Sequence, residues 1–508
     1  MAQDYISAPI GQRNIQRSTM KVNKYIIPAC ISIVMLGACK TKISTVANEG
    51  KISASQQSVA FLKDSLYIDS LIGTLPQGSE VGISIYNLSK NKSVYTYRND
   101  KLSRPASTMK LLTTITTLSY PEGRKPFTTN VWYSGSIVND TLQGDIYIKG
   151  CMDPEFDNQG MDSLVSQIGQ LPFKILKGHI IGDVSMKDSL YWGSGWMWDD
   201  APYDYQPNLS PLMFHKGTMT VMAYPDSIKN KAAIGVSPYS DYYEIQNNTK
   251  SNPAEKEWFN VTRDYINQSN RIIVDGNVNS KQYSTITLSF AQNYFLRTFV
   301  QRLIRKGKKS IPNGYISIYS PTIDYSKLTL AATYSTDCQS VVKQLLKESD
   351  NLNAEAMLYR LSGINGYHPA TAEGGIKAIK QLIKEIGLNP DNYLIADGSG
   401  LSNYDNLSPD LEVAFLRYAS QHPEIYTMIY PSLPIAGVDG SLSHRMKDCA
   451  ATNNVHAKTG SYTAINALAG YLTTTYGDKL VFSIMNQSIL DTQKAHQFQD
   501  AICTKLCK

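Results

Sequence analysis

The chain has 508 residues, of which 42% are hydrophobic and 18% charged. That balance fits a globular chain with a sizeable core and excludes global disorder, and at ~150 residues per domain it predicts about three domains, or one large domain carrying insertions. Seven cysteines are too few for a disulfide scaffold, no stretch approaches the ~20 apolar residues of a spanning helix, and a formal charge of +6 without a dense basic run (the longest is residues 305–309) argues against a nucleic-acid partner.

Residues 1–19 show no periodicity and read as a tail. Lys21 and Lys24 then precede an apolar run over residues 26–36, and small residues lead to Cys39. A positive segment before an apolar run too short to span reads as a secretory signal. Its end, Leu36-Gly37-Ala38-Cys39, resembles the lipobox of bacterial lipoproteins, which implies that Cys39 is lipidated and opens the mature chain. An ordinary cleaved signal with an incidental cysteine is the plainer alternative. Cleavage there takes away Arg13, Arg17, Lys21 and Lys24 against Asp4, which halves the formal charge.

Residues 42–57 are polar and Ser-rich, as a tether is. Helical spacing follows over 59–71, then two strands within 81–97 around a polar turn at 89–92. Residues 107–118 predict a helix, closed by Pro121 and Gly123. From about 127 to 322 the chain is rich in Tyr, Asn, Asp and Trp and reads as inserted, mostly β material, with one helical pattern at 293–306. Helical periodicity returns at 338–347, 354–361 and 374–386. Strands are predicted within 455–485, and a last helix from about Thr492.

Three short motifs carry the chemistry. In Ser107-Thr108-Met109-Lys110 the i, i+3 spacing puts both functional side chains on one helix face. A serine hydroxyl is a poor nucleophile until a base takes its proton, and a partly desolvated lysine can be neutral near pH 7 and act as that base. S-x-x-K recurs at Ser18, Ser89 and Ser340, but only Ser107 follows Arg-Pro-Ala and opens a helix of small and apolar residues. Ser349-Asp350-Asn351 falls between two helical patterns, in a loop whose hydroxyl can relay a proton and whose amide can bond a substrate backbone. Lys458-Thr459-Gly460, followed by Ser461, sits on a predicted strand. There a lysine supplies positive potential, hydroxyls can bind a carboxylate, and glycine leaves room for a substrate backbone.

In this order the triple resembles the S-x-x-K, S-D-N and K-T-G set of penicillin-binding proteins and class A β-lactamases. Almost half the chain lies between Ser107 and Ser349. A long insertion there is similar to the D-alanyl-D-alanine carboxypeptidase/endopeptidases, the low-molecular-mass class C or "type 4" penicillin-binding proteins. Pro105-Ala106 before the nucleophile motif, Asp153-Pro154, Trp196-Met197-Trp198-Asp199-Asp200, Asn353-Ala354-Glu355, the segments 397–402 and 437–442, and Ala469-Gly470-Tyr471 match that family further. Cys151 and Met152 stand where it usually has glycines.

The resemblance implies an α/β (α+β) serine transpeptidase/β-lactamase-like domain, with an antiparallel sheet flanked by helices and two mostly β domains nested after the S-x-x-K helix. The expected division is tail and signal (1–38), linker (39–57), first catalytic part (58–126), nested domains (127–322, the inner one about 186–285) and second catalytic part (323–508). It also implies roles. Ser107 attacks a D-Ala-D-X carbonyl, Lys110 is its base, and Ser349 passes a proton to the leaving amine. Asn351 binds the substrate amide, Lys458 tunes the field, Thr459 and Ser461 hold the terminal carboxylate beside Gly460, and the N–H groups of Ser107 and Ser461 form the oxyanion hole. Asp153 could meet a cationic stem-peptide side chain, or simply cap a turn before Pro154. The implied partners are peptidoglycan stem peptides, β-lactam inhibitors, and a membrane through the lipid anchor at Cys39, in the periplasm of a Gram-negative-type bacterium. A β-lactamase or esterase on the same scaffold, or a non-catalytic cell-wall-binding lipoprotein, are the rival readings.

Glu385-Ile386-Gly387-Leu388-Asn389 spells the β-lactamase E-x-x-L-N signature, but it reads better as a helix end, with Gly387 past the last turn and Pro390 following. The histidines show no metal-ligand spacing, and Cys503 with Cys507 has no second pair, so no metal site is expected, and the mechanism that the resemblance implies needs no cofactor. Trp192, Trp196 and Trp198 read as packing residues or as glycan contacts.

Overall fold

A computed structural model describes residues 54–226, 228–309, 315–319 and 322–508. The signal, Cys39 and the S-x-x-K at Ser18 lie outside them. Residues Ser55 to Lys508 form one compact unit. Among the described residues no helix is long and apolar enough to cross a membrane.

The central element is a five-stranded antiparallel sheet in the order His456–Tyr462, Ile465–Thr473, Lys479–Gln487, Glu80–Asn87, Lys92–Tyr97. Eight of the nine residues of Ile465–Thr473 are buried, because both faces of the sheet are covered. Side chains alternate across a strand. Ala467, Ala469 and Tyr471 therefore face a helical core with Leu112, Ile115, Met357 and Phe415. Leu468 and Leu472 face the other way, against Ile68, Phe498, Ile502 and Leu506. Those last four belong to the helices Ala54–Ile72 and Thr492–Leu506. The first of these helices starts inside the expected linker, which therefore ends before residue 57.

The helix Met109–Ser119 runs through the helical core with every residue from Met109 to Leu118 buried. Three of its threonines tolerate this because Thr116 and Thr117 donate to the carbonyls of Leu112 and Thr113 at 2.7 and 2.8 Å, while Thr113 reaches the Gly398 carbonyl at 2.7 Å. Around it pack Cys338–Lys347, Asn351–Ile364, Ala372–Glu385 and Pro409–Gln421.

The inserted stretch builds a second five-stranded sheet, in the order Tyr315–Ile318, Ile180–Asp183, Ile146–Lys149, Phe127–Tyr133, Thr329–Thr336. Its last strand passes the boundary expected at 322, because Thr329–Thr336 pairs along the whole of Phe127–Tyr133. The stretch is also less purely β than its composition implies. Besides Ala291–Arg305 it holds the helix Asn158–Gly169, whose first N–H groups are capped by Asp157. Two three-stranded sheets lie within 218–287, one from Thr218–Tyr224, Ala233–Ser237 and Gln282–Thr287, the other from Glu244–Asn247, Trp258–Arg263 and Arg271–Asn277.

Candidate active site

Ser107 sits in a single 3-10 turn, Ala106–Thr108, that feeds directly into the helix Met109–Ser119. Ala106 adopts a φ of 48°, a left-handed value that costs a non-glycine residue energy and turns the chain sharply into the helix. One helical turn on, Lys110 is wholly buried. Its ammonium donates to Ser107 Oγ at 2.9 Å, to Asn351 Oδ1 at 2.6 Å and to the Ser399 carbonyl at 2.7 Å. Burial pushes this amine down to about 8, against the opposing pull of Asp397, Asp350, Glu355 and Asp405. All three N–H donors of the ammonium are in use; loss of one proton lets the Ser107 hydroxyl donate to the amine instead.

The second motif lies in the turn between two helices. Ser349 has a φ of 62°, Asp350 caps the next helix by accepting from Asn353 N at 3.0 Å, and Asn351 is that helix's first residue. This fixes both amide ends of Asn351, since its Nδ2 donates to the Tyr205 carbonyl at 2.7 Å while its Oδ1 holds Lys110. The third motif lies on the edge strand His456–Tyr462. Lys458 is fully buried and donates to Ser349 Oγ at 2.8 Å and to the Thr459 carbonyl at 2.7 Å. Burial, and then the positive Lys110, push its amine well below the ordinary lysine value. Gly460 lets this strand pass the nucleophile turn: a Cβ there would stand 2.4 Å from the Pro105 carbonyl oxygen and 3.1 Å from Ser107 N. Ser107, Ser349 and Thr459 are half-buried and Ser461 is exposed, so their hydroxyls border a cleft open to solvent.

Several groups beside the motifs are not marked by them. Ser441 Oγ lies 2.7 Å from Thr459 Oγ1, on a loop anchored by Lys347, which donates to Asp439 at 2.6 Å. Asp397 is buried and accepts from Ser399 N, Gly400 N, Ser402 N and the Trp196 indole, which shapes the loop whose carbonyl holds Lys110. Glu355 and Asp405 are buried with it. Burial and the charge of Asp397 hold both carboxyls above the ordinary range. Asp397, Glu355 and Ser441 fall in segments that the sequence marks only by resemblance. Lys216 carries no sequence signal at all. It reaches Glu155 Oε1 at 2.6 Å, Asn353 Oδ1 at 2.9 Å and Asp350 Oδ2 at 3.0 Å, and so supports the Ser349 turn from the inserted stretch.

Asp153 does not join the cleft as an open carboxylate. It is 2% exposed, accepting from Thr336 Oγ1 at 2.6 Å and from Glu155 N at 3.0 Å, so the expected substrate contact gives way to the turn-capping place. Ser89 lies in the hairpin turn, where its Oγ accepts from Lys479 N at 2.9 Å. Ser340 is held by Asp337 at 2.6 Å. Glu385 ends its helix, exposed, with Gln381 beside it at 3.0 Å, and Gly387 follows with a φ of 88°.

A half-buried serine against a buried lysine, between an antiparallel sheet and a helical core, defines a serine hydrolase of the transpeptidase and β-lactamase type. The profile of the D-Ala-D-Ala carboxypeptidase 3 (S13) family matches residues 65–506, and the chain belongs to that family of serine peptidases. The D-alanyl-D-alanine carboxypeptidase DacB of Haemophilus influenzae is 28% identical over 453 residues, covering 87% of this chain and 92% of that protein. The crystal structure of penicillin binding protein 4 (dacB) from Haemophilus influenzae superposes with a TM-score of 0.76 at 22% identity, covering 87% of this chain and 99% of that one. The same protein complexed with a β-lactam gives 0.72 at 21% identity, with the same coverage.

Proposed function

We propose that this carboxypeptidase acts on peptidoglycan stem peptides ending in D-Ala-D-Ala, and on cross-linked peptides as a DD-endopeptidase, through an acyl-enzyme on Ser107. The observation that carries the reading is the joining of three distant motifs: Ser107 to Lys110 at 2.9 Å, Lys110 to Asn351 at 2.6 Å, and Ser349 to Lys458 at 2.8 Å. Neutral Lys110 takes the hydroxyl proton as Ser107 Oγ bonds to the penultimate D-Ala carbonyl carbon. The N–H groups of Ser107 and Ser461 face the developing oxyanion, worth about 3 kcal/mol per donor in such sites. Ser349 relays to the leaving amine, as the C–N bond breaks, the proton that Lys110 took from Ser107, with Lys458 setting the field. Thr459 and Ser461 hold the terminal carboxylate. Water then hydrolyses the ester and restores Ser107. The Haemophilus protein solved with a β-lactam supports inhibition by such compounds.

Two measurements test this. A fluorescent penicillin labels the wild-type chain and not Ser107→Ala; equal labelling, or none, overturns it. Digested muropeptides lose one alanine mass, or dimers become monomers, as read by mass spectrometry. Fast multiple turnover of a chromogenic cephalosporin with intact muropeptides would make the chain a β-lactamase instead.

We also propose that Cys39 carries a lipid that holds the enzyme on the periplasmic face of a bacterial membrane, supported by the Leu36-Gly37-Ala38-Cys39 sequence after an apolar run. Metabolic labelling with a fatty-acid analogue marks the wild type and not Cys39→Ala; label on both would refute the anchor.

A further inference from the structure

Beside the cleft lies a hollow of about 430 Å³ in the inserted stretch. Its walls are Trp192, Trp196, Met197, Trp198, Tyr265 and Ile266, with Gln206 and Gln268, and no charged side chain among the described residues lines it. Trp198 is 67% exposed and Ile266 74%, an unusual outlay of apolar surface. The Tyr265 ring stacks against Trp198 with centroids 5.9 Å apart, which steadies the exposed indole. Gln206 is only 3% exposed, yet its Oε1 has no hydrogen-bond partner among the described residues. Its backbone is pinned, N–H to the Tyr203 carbonyl at 3.1 Å and carbonyl to Thr287 Oγ1 at 3.2 Å. A buried acceptor left without a donor is costly, and a ligand that brings an N–H or O–H relieves that cost.

We propose that this hollow binds an N-acetylated hexosamine of the glycan that carries the stem peptide. This rests on the reading of peptidoglycan as substrate. The C–H face of a pyranose lies against the exposed Trp198 indole, the acetamido N–H donates to Gln206 Oε1 as that side chain turns out of its buried place, and the acetyl methyl meets Met197 and Ile266. A neutral sugar fits an uncharged lining, whereas a stem peptide brings carboxylates and amines that find no partner there. The hollow shares its wall with the cleft. The Trp196 indole donates to Asp397 at 2.8 Å, on the loop that holds Lys110, and Tyr205, beside Gln206, accepts from Asn351 at 2.7 Å. A sugar held here and a stem-peptide terminus at Ser107 belong to one substrate.

The test compares kcat/KM on a disaccharide-pentapeptide with that on the same free pentapeptide. The wild type prefers the glycosylated form by about tenfold, the scale of an aromatic contact with one hydrogen bond. Trp198→Ala and Gln206→Leu bring the ratio towards one and leave free-peptide turnover and penicillin labelling unchanged. No preference in the wild type, or an equal fall on both substrates, overturns the proposal. Calorimetry with the peptide-free disaccharide of N-acetylglucosamine and N-acetylmuramic acid separates the two readings. Binding by Ser107→Ala that Trp198→Ala abolishes upholds the hollow even if the wild type proves to have no peptidase activity. An active enzyme that binds no disaccharide, or that binds a peptide dimer there instead, removes the hollow alone.

Discussion

As the proposed base, Lys110 must be buried enough to lose its proton near neutrality and still be held in place. Desolvation supplies the first condition, and Ser107, Asn351 and the Ser399 carbonyl the second. Its conjugate acid titrates at about 8, so the base form grows as pH rises to that value. The second-order rate constant for β-lactam acylation should therefore climb about tenfold per pH unit below about 8 and level off above it. A stopped-flow profile that is flat between pH 6 and 8 would show that Lys110 is not the base. At this scale much was legible. The residues of each motif are near neighbours in sequence, so local spacing alone orients Ser107 towards Lys110 and sets Thr459 beside Gly460. Lys216 and the Tyr205 carbonyl were not legible, because they reach Asp350 and Asn351 only through the folded inserted stretch. Asp153 stayed open between a substrate contact and a turn cap for a similar reason. Its partner Thr336 is far along the chain, and only the finished sheet reveals that the carboxylate is already engaged.

Among elements, the seam between the helix Pro409–Gln421 and the central sheet holds a fully buried carboxyl. Glu412 accepts from Ser483 Oγ at 2.7 Å, and burial pushes it up to about 7. The folded chain therefore keeps a proton that the unfolded chain releases above about pH 4.5, and this group's contribution to stability falls as pH rises from there to about 7. The size is on the order of 3 kcal/mol. Glu412→Gln imitates the protonated form, so the loss of Tm between pH 5 and pH 8 should be smaller in the variant than in the wild type. Equal losses in scanning calorimetry would clear Glu412 of the effect. The helix itself passed unread, although its start is marked: Ser408 accepts from Leu411 N, Pro409 follows, and Asp410 and Glu412 fill the first turn. The catalytic strands were readable because burial on both faces requires continuous apolar runs. The helix Asn158–Gly169 was masked by polar residues on its outer face, where only Met161, Leu164, Val165 and Ile168 point to a core.

Over the whole molecule, the inserted stretch acts on the catalytic site through a few polar joints. Lys216 ties Glu155 to Asp350 and Asn353, and Trp196 ties its loop to Asp397. Without the lysine, Glu155 and Asp350 are left as two carboxylates without their shared cation beside the Ser349 turn. Lys216→Ala should then slow acylation roughly tenfold and lower Tm by a few degrees. Wild-type labelling rates in a variant of unchanged Tm would show that the joint does not matter. The long gap between Ser107 and Ser349 points to an insertion, but where its sheet ends was not legible, since only pairing with Phe127–Tyr133 assigns Thr329–Thr336 to that sheet.

The central sheet closes by laying Glu80–Asn87 beside Lys479–Gln487, strands from opposite ends of the described chain. For a polypeptide threaded out of its place of synthesis from one end, this sets a schedule. The inserted stretch draws its strands from contiguous residues and can fold while the remainder is still arriving, but the first catalytic strand must wait for almost the last. Ser107 emerges early and gains a working neighbourhood only when Lys458 and the strands behind it have followed. Ser107 therefore stays without its partners until synthesis is nearly complete, and a chain cut short before Lys479 has no closed sheet on which to carry its lysines.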